Sequence, residues 1–379
     1  MFKLNPLRSQ IPFAATLAVA TGLFAASQPT AIAADQTIDK YLIAPADTVK
    51  VPLAPGLLAT DPITNSPVQA PFWNAYPLPD GPVGDAAKTY TFCFSQALIR
   101  HPWPVATRGG MMLEEARHPN VKVIYYNTDN DPLKQIQDLE TCAAQKPDAI
   151  IVWPHSIKPL TPEIEKLHAA GFKIVGGERT VATSDYDSWI FWDDKGETRA
   201  LADAAGKLLG GKGAIAEQSG ALGSSPQIIR HYGFLTALHE LYPDIKLVAT
   251  PPTDYSQAQG YSMALQFSQS GEGKQINAWF VHSGTMALGV AQAMKQTGRS
   301  DVAIFTIDGS KAEVKAVQNG AIYAIASHTP LWGDLGLRIA IYLVLSKPVP
   351  KNLLLEPLPL ITKANADEML PKAWGPLPN

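Results

Sequence analysis

Charged side chains directly follow short apolar runs of this chain at positions where they could act together. Glu178 and Arg179 come just after the run 173–176, and Asp308 follows the run 302–307. A carboxylate accepts hydrogen bonds from two hydroxyl groups, a planar guanidinium donates them in pairs, and an aromatic face covers apolar C–H groups. These residue types suit contact with a polyhydroxylated small molecule. Further candidates in equivalent positions are His101, Trp103, His282, Ser283 and His328.

The same residues also have structural interpretations. Glu178 and Arg179 could form a surface ion pair, and Asp308 could cap the helix predicted after it. Trp103 could belong to the core. Three other tryptophans are predicted as core or hinge residues: Trp189, Trp192 and Trp279.

The signatures of catalytic and metal sites are missing from the sequence. There is no G-x-S-x-G elbow, no phosphate-binding G-x-x-x-x-G-K-[ST] loop, no H-E-x-x-H and no cysteine–histidine cluster at ligand spacing. Residues 220–223 follow a strand and open a helix, so this glycine-containing loop could hold an anion. His155, like three of the candidates above, is better explained by hydrogen bonding. We therefore predict no catalytic residue, no metal and no cofactor.

Short apolar strands alternate with helical stretches from residue 89 onward. Strand starts in the first set recur every 24 to 31 residues, as expected for βα units of a parallel sheet. A second set of about four units follows, which predicts an α/β protein with two doubly wound parallel-sheet lobes. In such sheets the loops at the carboxyl ends of the strands form the ligand crevice. The predicted strands are 90–95, 121–126, 149–153, 173–176, 214–216, 246–249, 278–281, 302–307 and 322–326. The predicted helices are 105–117, 132–145, 161–170, 227–241, 257–268, 285–296 and 310–319.

The first 33 residues have the pattern of an export signal. Lys3 and Arg8 precede the apolar run 11–26, and Ala31-Ile32-Ala33 offers a cleavage site. The alternative is a membrane anchor, but an apolar run of about 16 residues is short for a bilayer core. Residues 34–88 are rich in proline and predict an extended arm, in which Trp73 and Tyr76 suggest packing on another part of the molecule.

Composition and cysteine content narrow the function further. The chain has 379 residues, a formal net charge of −3 and 46% hydrophobic residues. A large buried core is therefore expected, and nucleic acid is not an expected partner. Cys93 and Cys142 could form a disulfide outside the cytoplasm or be two buried small side chains.

Several segments together resemble the type I periplasmic sugar-binding proteins, the ribose-binding-protein group of ABC-transporter receptors. The resemblance covers about residues 89 to 365. It is carried by the segments 131–139, 147–152, 286–289, 307–309, 317–320 and 359–365.

The resemblance implies ligand roles position by position. The family's aromatic first loop falls on His101 to Trp103, its Asp-Arg pair on Glu178-Arg179, and its ligand aspartate on Asp308. Its ligand asparagine falls on Ser283, with His282 beside it, and its late glutamine falls on His328. One family arginine falls on Ile228, whereas Arg230 matches an arginine that is usually not a ligand. These departures predict a ligand other than ribose: another sugar, a polyol or a sugar acid.

The resemblance also implies three chain crossings between the lobes, near Asp193-Asp194, His328-Thr329 and Leu353. The first lobe would comprise residues 89–193 and 329–353, and the second 194–328 and 354–379. The implied protein is a periplasmic monomer, exported by the cleaved signal peptide, that delivers its ligand to an ABC permease. The alternatives are a protein of the same fold that reports to a chemoreceptor or sensor kinase, and an enzyme acting in the crevice.

Overall fold

The computed structural model describes residues 45, 48–51, 58–60, 67–69, 75–99, 101–356 and 359–375. The predicted signal peptide and much of the proline-rich arm, including Trp73, lie outside the described residues. No helix in the described ranges is long and apolar enough to cross a membrane.

Strands and helices alternate along most of this part of the chain. The strands are β1 (Val49–Val51), β2 (Leu58–Thr60), β3 (Pro67–Gln69), β4 (Tyr90–Gln96), β5 (Val121–Asn127), β6 (Ala149–Trp153), β7 (Ile174–Gly177), β8 (Ser188–Phe191), β9 (Gly213–Gln218), β10 (Ile245–Ala249), β11 (Ala278–Val281), β12 (Ala303–Asp308), β13 (Ala324–Ser327), β14 (Asn352–Leu355) and β15 (Ile361–Thr362). The helices are α1 (Pro102–Ala116), α2 (Pro132–Ala144), α3 (Ile157–Ala169), α4 (Asp194–Leu208), α5 (Ser225–Leu241), α6 (Gln257–Ser268), α7 (Gly284–Gln296), α8 (Lys311–Gln318), α9 (Gly333–Val344) and α10 (Ala366–Met369), with a 3₁₀ turn at Leu370–Lys372.

The strands form two large sheets, each the centre of a lobe. The first sheet has seven parallel strands in the order β1-β14-β8-β7-β6-β4-β5. The second has the order β10-β9-β11-β12-β13-β15, with only β15 antiparallel to its neighbour. A small antiparallel pair, β2 and β3, stands apart. Each large sheet has an apolar cluster on both faces, as parallel sheets require, which confirms the predicted α/β class.

The chain passes between the two sheets at three places. It leaves the first sheet after Phe191 and enters the second lobe with α4, then returns between Ser327 and α9. The last passage comes between Leu355, still paired in the first sheet, and Ile361, already paired in the second. The crossing expected near Leu353 therefore lies a few residues later, because Leu353 is central to β14.

The helix starts are explained by local chemistry. Asp131 accepts hydrogen bonds from two backbone N–H groups at the start of α2, and Pro132 occupies the first turn. Ser310 and Glu313 form a capping box that starts α8. The predicted start of α3 at Thr161 is wrong: the helix begins at Ile157, and Pro162 lies inside it.

Several elements were not predicted, among them β8, α4, α9 and β14 of the two lobes. Strand β8 has only four residues, and α9 is a mostly apolar segment that is buried at nine of its twelve positions. Their assignment depends on tertiary contacts. Strand β14 is central to the first sheet because β1 and β8 pair with its two edges.

The proline-rich arm contributes directly to the first lobe. Val51 in β1 is buried in the core, as are Leu78 and Val83 farther along the arm. Tyr76 packs edge-to-face on Tyr342 of α9, with ring centroids 5.5 Å apart. The arm therefore packs on the first lobe, as its aromatic residues suggested.

Of the two interpretations of the cysteines, the structure contains the disulfide. Cys93 in β4 is bonded to Cys142 in α2, both side chains are fully buried, and their Cα atoms are 6.3 Å apart. The bond fastens α2 to the sheet.

Candidate functional site

The carboxyl ends of the two sheets face one another across a closed cleft. The Thr180 N–H after β7 donates to Ser225 Oγ of α5 at 2.9 Å, and the Ile157 N–H donates to the Gly223 carbonyl at 3.3 Å. Both bonds join the first lobe to the second. The side chains at the facing strand ends are accordingly buried, and the lobes are in the closed arrangement.

Glu178 and Arg179 lie at the end of β7 with their side chains inside the cleft. Glu178 is 8% exposed and Arg179 3%, so the surface ion-pair interpretation is wrong. Arg179 Nε lies 3.3 Å from Glu178 Oε2, and its Nη1 donates to the His155 carbonyl at 2.6 Å. Trp153 Nε1 also donates to Glu178. Burial raises the pKa of Glu178, and the positive charge of Arg179 opposes that rise.

Asp308 lies opposite, at the end of β12 in the second lobe. Its Oδ2 accepts the Gly284 N–H at the start of α7 at 2.9 Å, while Ser310 caps the helix that follows Asp308. Burial raises its pKa well above the usual value, and Glu313 adds to the rise while Arg230 opposes it. The charge of Glu178 from the first lobe also raises the pKa of Asp308.

Both carboxylates sit on unusual backbone. The φ angle is +64° at Glu178 and +122° at Asp308, in the region that L-residues rarely occupy. Such conformations cost free energy and concentrate at functional sites.

Arg230 of α5 stands at the centre of a buried network near the first two crossings. Its Nε donates to Asp194 at 2.8 Å and its Nη1 to the His282 carbonyl at 2.7 Å. Its Nη2 lies 3.4 Å from Nε2 of His328, whose Nδ1 is 3.0 Å from Glu197. Because the guanidinium can only donate, Nε2 of His328 is the acceptor and Nδ1 carries the hydrogen.

The remaining candidate histidines are buried or face charged groups. His101 Nδ1 is buried, and burial together with Arg179 lowers the pKa of His101 to about 3. The same two causes lower the pKa of His155 to about 4. His282 donates from Nε2 to Glu217 at 2.9 Å, and burial lowers its pKa. Burial and Arg230 lower the pKa of His328 to about 4.

Trp103 and Ser283 make contacts within the protein that give each of them a structural role. Trp103 is in the core of the first lobe, its ring 5.1 Å from that of Trp153, and its Nε1 donates to the His328 carbonyl at 3.1 Å. Ser283 accepts the Met286 N–H as the cap of α7. The three other tryptophans lie where the sequence predicted: Trp189 and Trp279 in cores, and Trp192 stacked on His328 near the first crossing.

The structure adds Arg230, Tyr255, Thr180 and Gln218 to the site. The Tyr255 ring faces the Arg179 guanidinium across the cleft at 5.8 Å, and a Cβ at Gly220 would overlap that ring. Tyr255 follows β10, so its position after a strand was the signal that could have identified it. Ile228, where the family arginine would fall, is only half-buried.

Several buried polar atoms at the strand ends have no hydrogen-bond partner among the described residues. They include His101 Nδ1, Arg179 Nε and Thr180 Oγ1 in the first lobe, and Gln218 Oε1 and His282 Nδ1 in the second. Buried polar atoms are normally hydrogen-bonded. A small molecule with several hydroxyl groups could supply such partners from one position between the lobes.

One group of side chains in the described part of the chain has the geometry for a metal ion: Asp194, Glu197 and His328, with ligand atoms within 4.8 Å of one another. Arg230 already bonds to Asp194 and contacts His328. Its guanidinium supplies the positive charge there, so the donor set does not fit a further cation.

Residues 92–348 match the family model described as a periplasmic binding protein domain. The chain belongs to this family of substrate-binding proteins, and the family places it in the periplasm. Most of the described core of both lobes falls within the match. Most of the arm and the last strands lie outside it.

Individual relatives share about a quarter of their residues with this chain. It is 27% identical over 269 residues to a ribose import binding protein of Bacillus subtilis, covering 70% of this chain and 85% of that one. It is 28% identical over 253 residues to a xylitol-binding protein of Mycolicibacterium smegmatis, covering 66% and 72%. A solved structure, the fructose-binding periplasmic domain of a hybrid two-component system, shares the fold with a TM-score of 0.69 at 24% identity, covering 74% and 93%.

Proposed function

We propose that this protein captures a neutral sugar or polyol in the cleft and delivers it to an ABC permease. The observation that carries the proposal is the buried pair Glu178-Arg179 of the first lobe facing Asp308 of the second. A ligand that touches both sides stabilises the closed form by its differential contacts. The named relatives, import and binding proteins for ribose and xylitol, agree with this class of ligand.

The charge balance of the cleft favours a neutral ligand over a sugar acid. Arg179 is paired with Glu178, and Arg230 with Asp194. A carboxylate ligand would have to replace one of these partners and leave a buried charge unpaired, which is costly. Hydroxyl groups can bond to the same side chains without changing their net charge.

The proposal includes the other features of a transport receptor. The protein would act as a monomer, without catalysis, after cleavage of the signal peptide behind Ala33. Mass spectrometry of the exported protein would give the mature N-terminus. Chemical conversion of any bound sugar would contradict the non-enzymatic part of the proposal.

A thermal-shift screen of pentoses, hexoses, polyols and sugar acids would identify the ligand, since selective binding to the native state raises the melting temperature. With that ligand, we expect Asp308→Ala or Arg179→Ala to weaken binding by about 2–4 kcal/mol in calorimetry, because each leaves a buried polar partner unsatisfied. Asp301→Ala is the matched control, since Asp301 pairs with Arg299 at the surface. Wild-type affinity in either cleft variant would remove that residue from the site.

The same fold also serves sensing in another protein, the fructose-binding periplasmic domain of the hybrid two-component system. Reconstitution distinguishes the two roles. Ligand-dependent stimulation of a permease ATPase by the loaded protein supports transport. Ligand-dependent capture by a sensor domain, without such stimulation, would replace the transport proposal with a sensing role.

A further inference from the structure

The C-terminal segment is fastened to the second lobe by its backbone. After β15 pairs with β13, α10 packs on α8, and Gln318 donates to Asp367 at 2.5 Å. Trp374 then forms a β-bridge with Ser310, and its carbonyl accepts the Lys311 N–H at 2.8 Å. The buried Met369 and Ala373 belong to an apolar cluster of the second lobe.

The side chain of Trp374 belongs to the other lobe. It is 3% exposed and lies in the apolar cluster of the first lobe, which reaches the second crossing through Leu331 and Trp332. Together with Asp308 and Thr329 it also lines a small cavity beside the cleft. One residue therefore has its backbone in the second lobe and its ring against the apolar cluster of the first.

From this we propose that the C-terminal segment is a latch, in which Trp374 stabilises the closed form. Opening the cleft has to break either the backbone contact with Ser310 and Lys311 or the packing of the indole on the first lobe. Either contact is lost only in the open form, and its loss raises the free energy of that form. The latch therefore shifts the equilibrium toward closure and slows ligand release. The inference rests on the proposed function because it assumes that ligand binding and closure are linked.

The test compares Trp374→Ala with Met369→Ala. Both remove a buried side chain of the same segment, but Met369 belongs to the second-lobe cluster and Trp374 to the first-lobe cluster. We expect Trp374→Ala to weaken binding of the screened sugar about tenfold, mainly through faster dissociation, and to enlarge the radius of gyration of the ligand-free protein in X-ray scattering. Met369→Ala should lower the melting temperature and leave affinity within about twofold of wild type.

Equal affinity and equal radius in Trp374→Ala and wild type would overturn the latch. An equal loss of affinity in Met369→Ala would do the same, because the effect would then act through second-lobe stability. If Trp374→Ala fails to fold, hydrogen exchange of the Trp374 indole N–H is measured in the wild-type protein instead. Ligand should slow this exchange, and an unchanged rate overturns the latch.

The two proposals fail differently. If no sugar or polyol binds the wild-type protein, the proposed function fails, while the comparison of ligand-free radii still tests the latch. If sugars bind and the radii agree, the latch alone fails.

Discussion

At the scale of single residues, the role predicted for Arg230 from the sequence differs most from the role that the structure gives it. The sequence marked it as an arginine that is usually not a ligand, whereas the structure makes it the donor that connects Asp194, His282 and His328. It is 3% exposed, and although burial opposes the change, the charges of Asp194, Asp308 and Glu178 raise the pKa of Arg230. Its role is to hold the walls of the cleft in position.

Replacing Arg230 by methionine keeps the length of the side chain and removes its charge. We expect Arg230→Met to lower the free energy of unfolding by about 3–5 kcal/mol, because Asp194 is left buried without its partner. Urea unfolding measures this difference. Arg199→Met is the control: its pair with Glu240 is exposed, so a change below about 1 kcal/mol is expected. A similarly small change in Arg230→Met would show that Asp194 finds another partner.

At the scale of elements, the arm and the disulfide reinforce the first lobe. β1 pairs with β14 along its free edge, and the Glu356 N–H donates to the Val51 carbonyl at 3.1 Å, where the chain leaves the sheet for the third crossing. An uncovered edge strand would be open to pairing with another chain. The arm therefore protects the edge and fixes the start of a crossing.

Two valines of β1 provide a matched test of this role. Val51 is 2% exposed and Val49 46%, although both belong to the same short strand. We expect Val51→Asp to destabilise the protein by about 2–4 kcal/mol, because an unpaired carboxylate would enter the core. Val49→Asp should change stability by less than about 0.5 kcal/mol. Chemical denaturation compares the two, and equal stabilities would mean that the arm does not need to dock.

At the scale of the whole molecule, closure buries charged and titratable groups from both lobes. His101 and His155 in the first lobe both lie near Arg179, and His101 also faces Tyr255 of the second lobe with ring centroids 6.4 Å apart. The closed form holds both rings neutral. Opening would expose them to water, where a histidine has a pKa of about 6.5.

Ligand affinity should therefore depend on pH. The closed-form pKa values, about 3 for His101 and about 4 for His155, lie below the ordinary value. Their contribution to closure is present above about pH 6.5 and is lost as the pH falls toward 4. For each ring that opening exposes, ligand affinity should fall by up to about tenfold per pH unit. Calorimetry between pH 7.5 and about 4.5 measures the slope.

The matched variants are His155→Gln, which should flatten this slope, and His239→Gln on the exposed part of α5, which should not. A slope that is the same in wild type and His155→Gln would mean that His155 stays buried in the open form.

The sequence by itself determined the fold class and predicted where a ligand site would lie. Strand and helix periods are local properties, so alternating βα units could be recognised without coordinates, and the rule for strand ends then selected Glu178, Arg179 and Asp308. The structure confirms the α/β lobes, and it places these three side chains at the facing strand ends.

Only the tertiary structure decided which distant groups become partners. The Cys93–Cys142 bond, the pairing of β1 with β14 and the link between Trp374 and Ser310 join residues far apart in sequence. No local pattern encodes such a pair, because its energy exists only when packing brings both members together. The same reason explains Arg230, whose hydrogen-bond partners come from three separate segments.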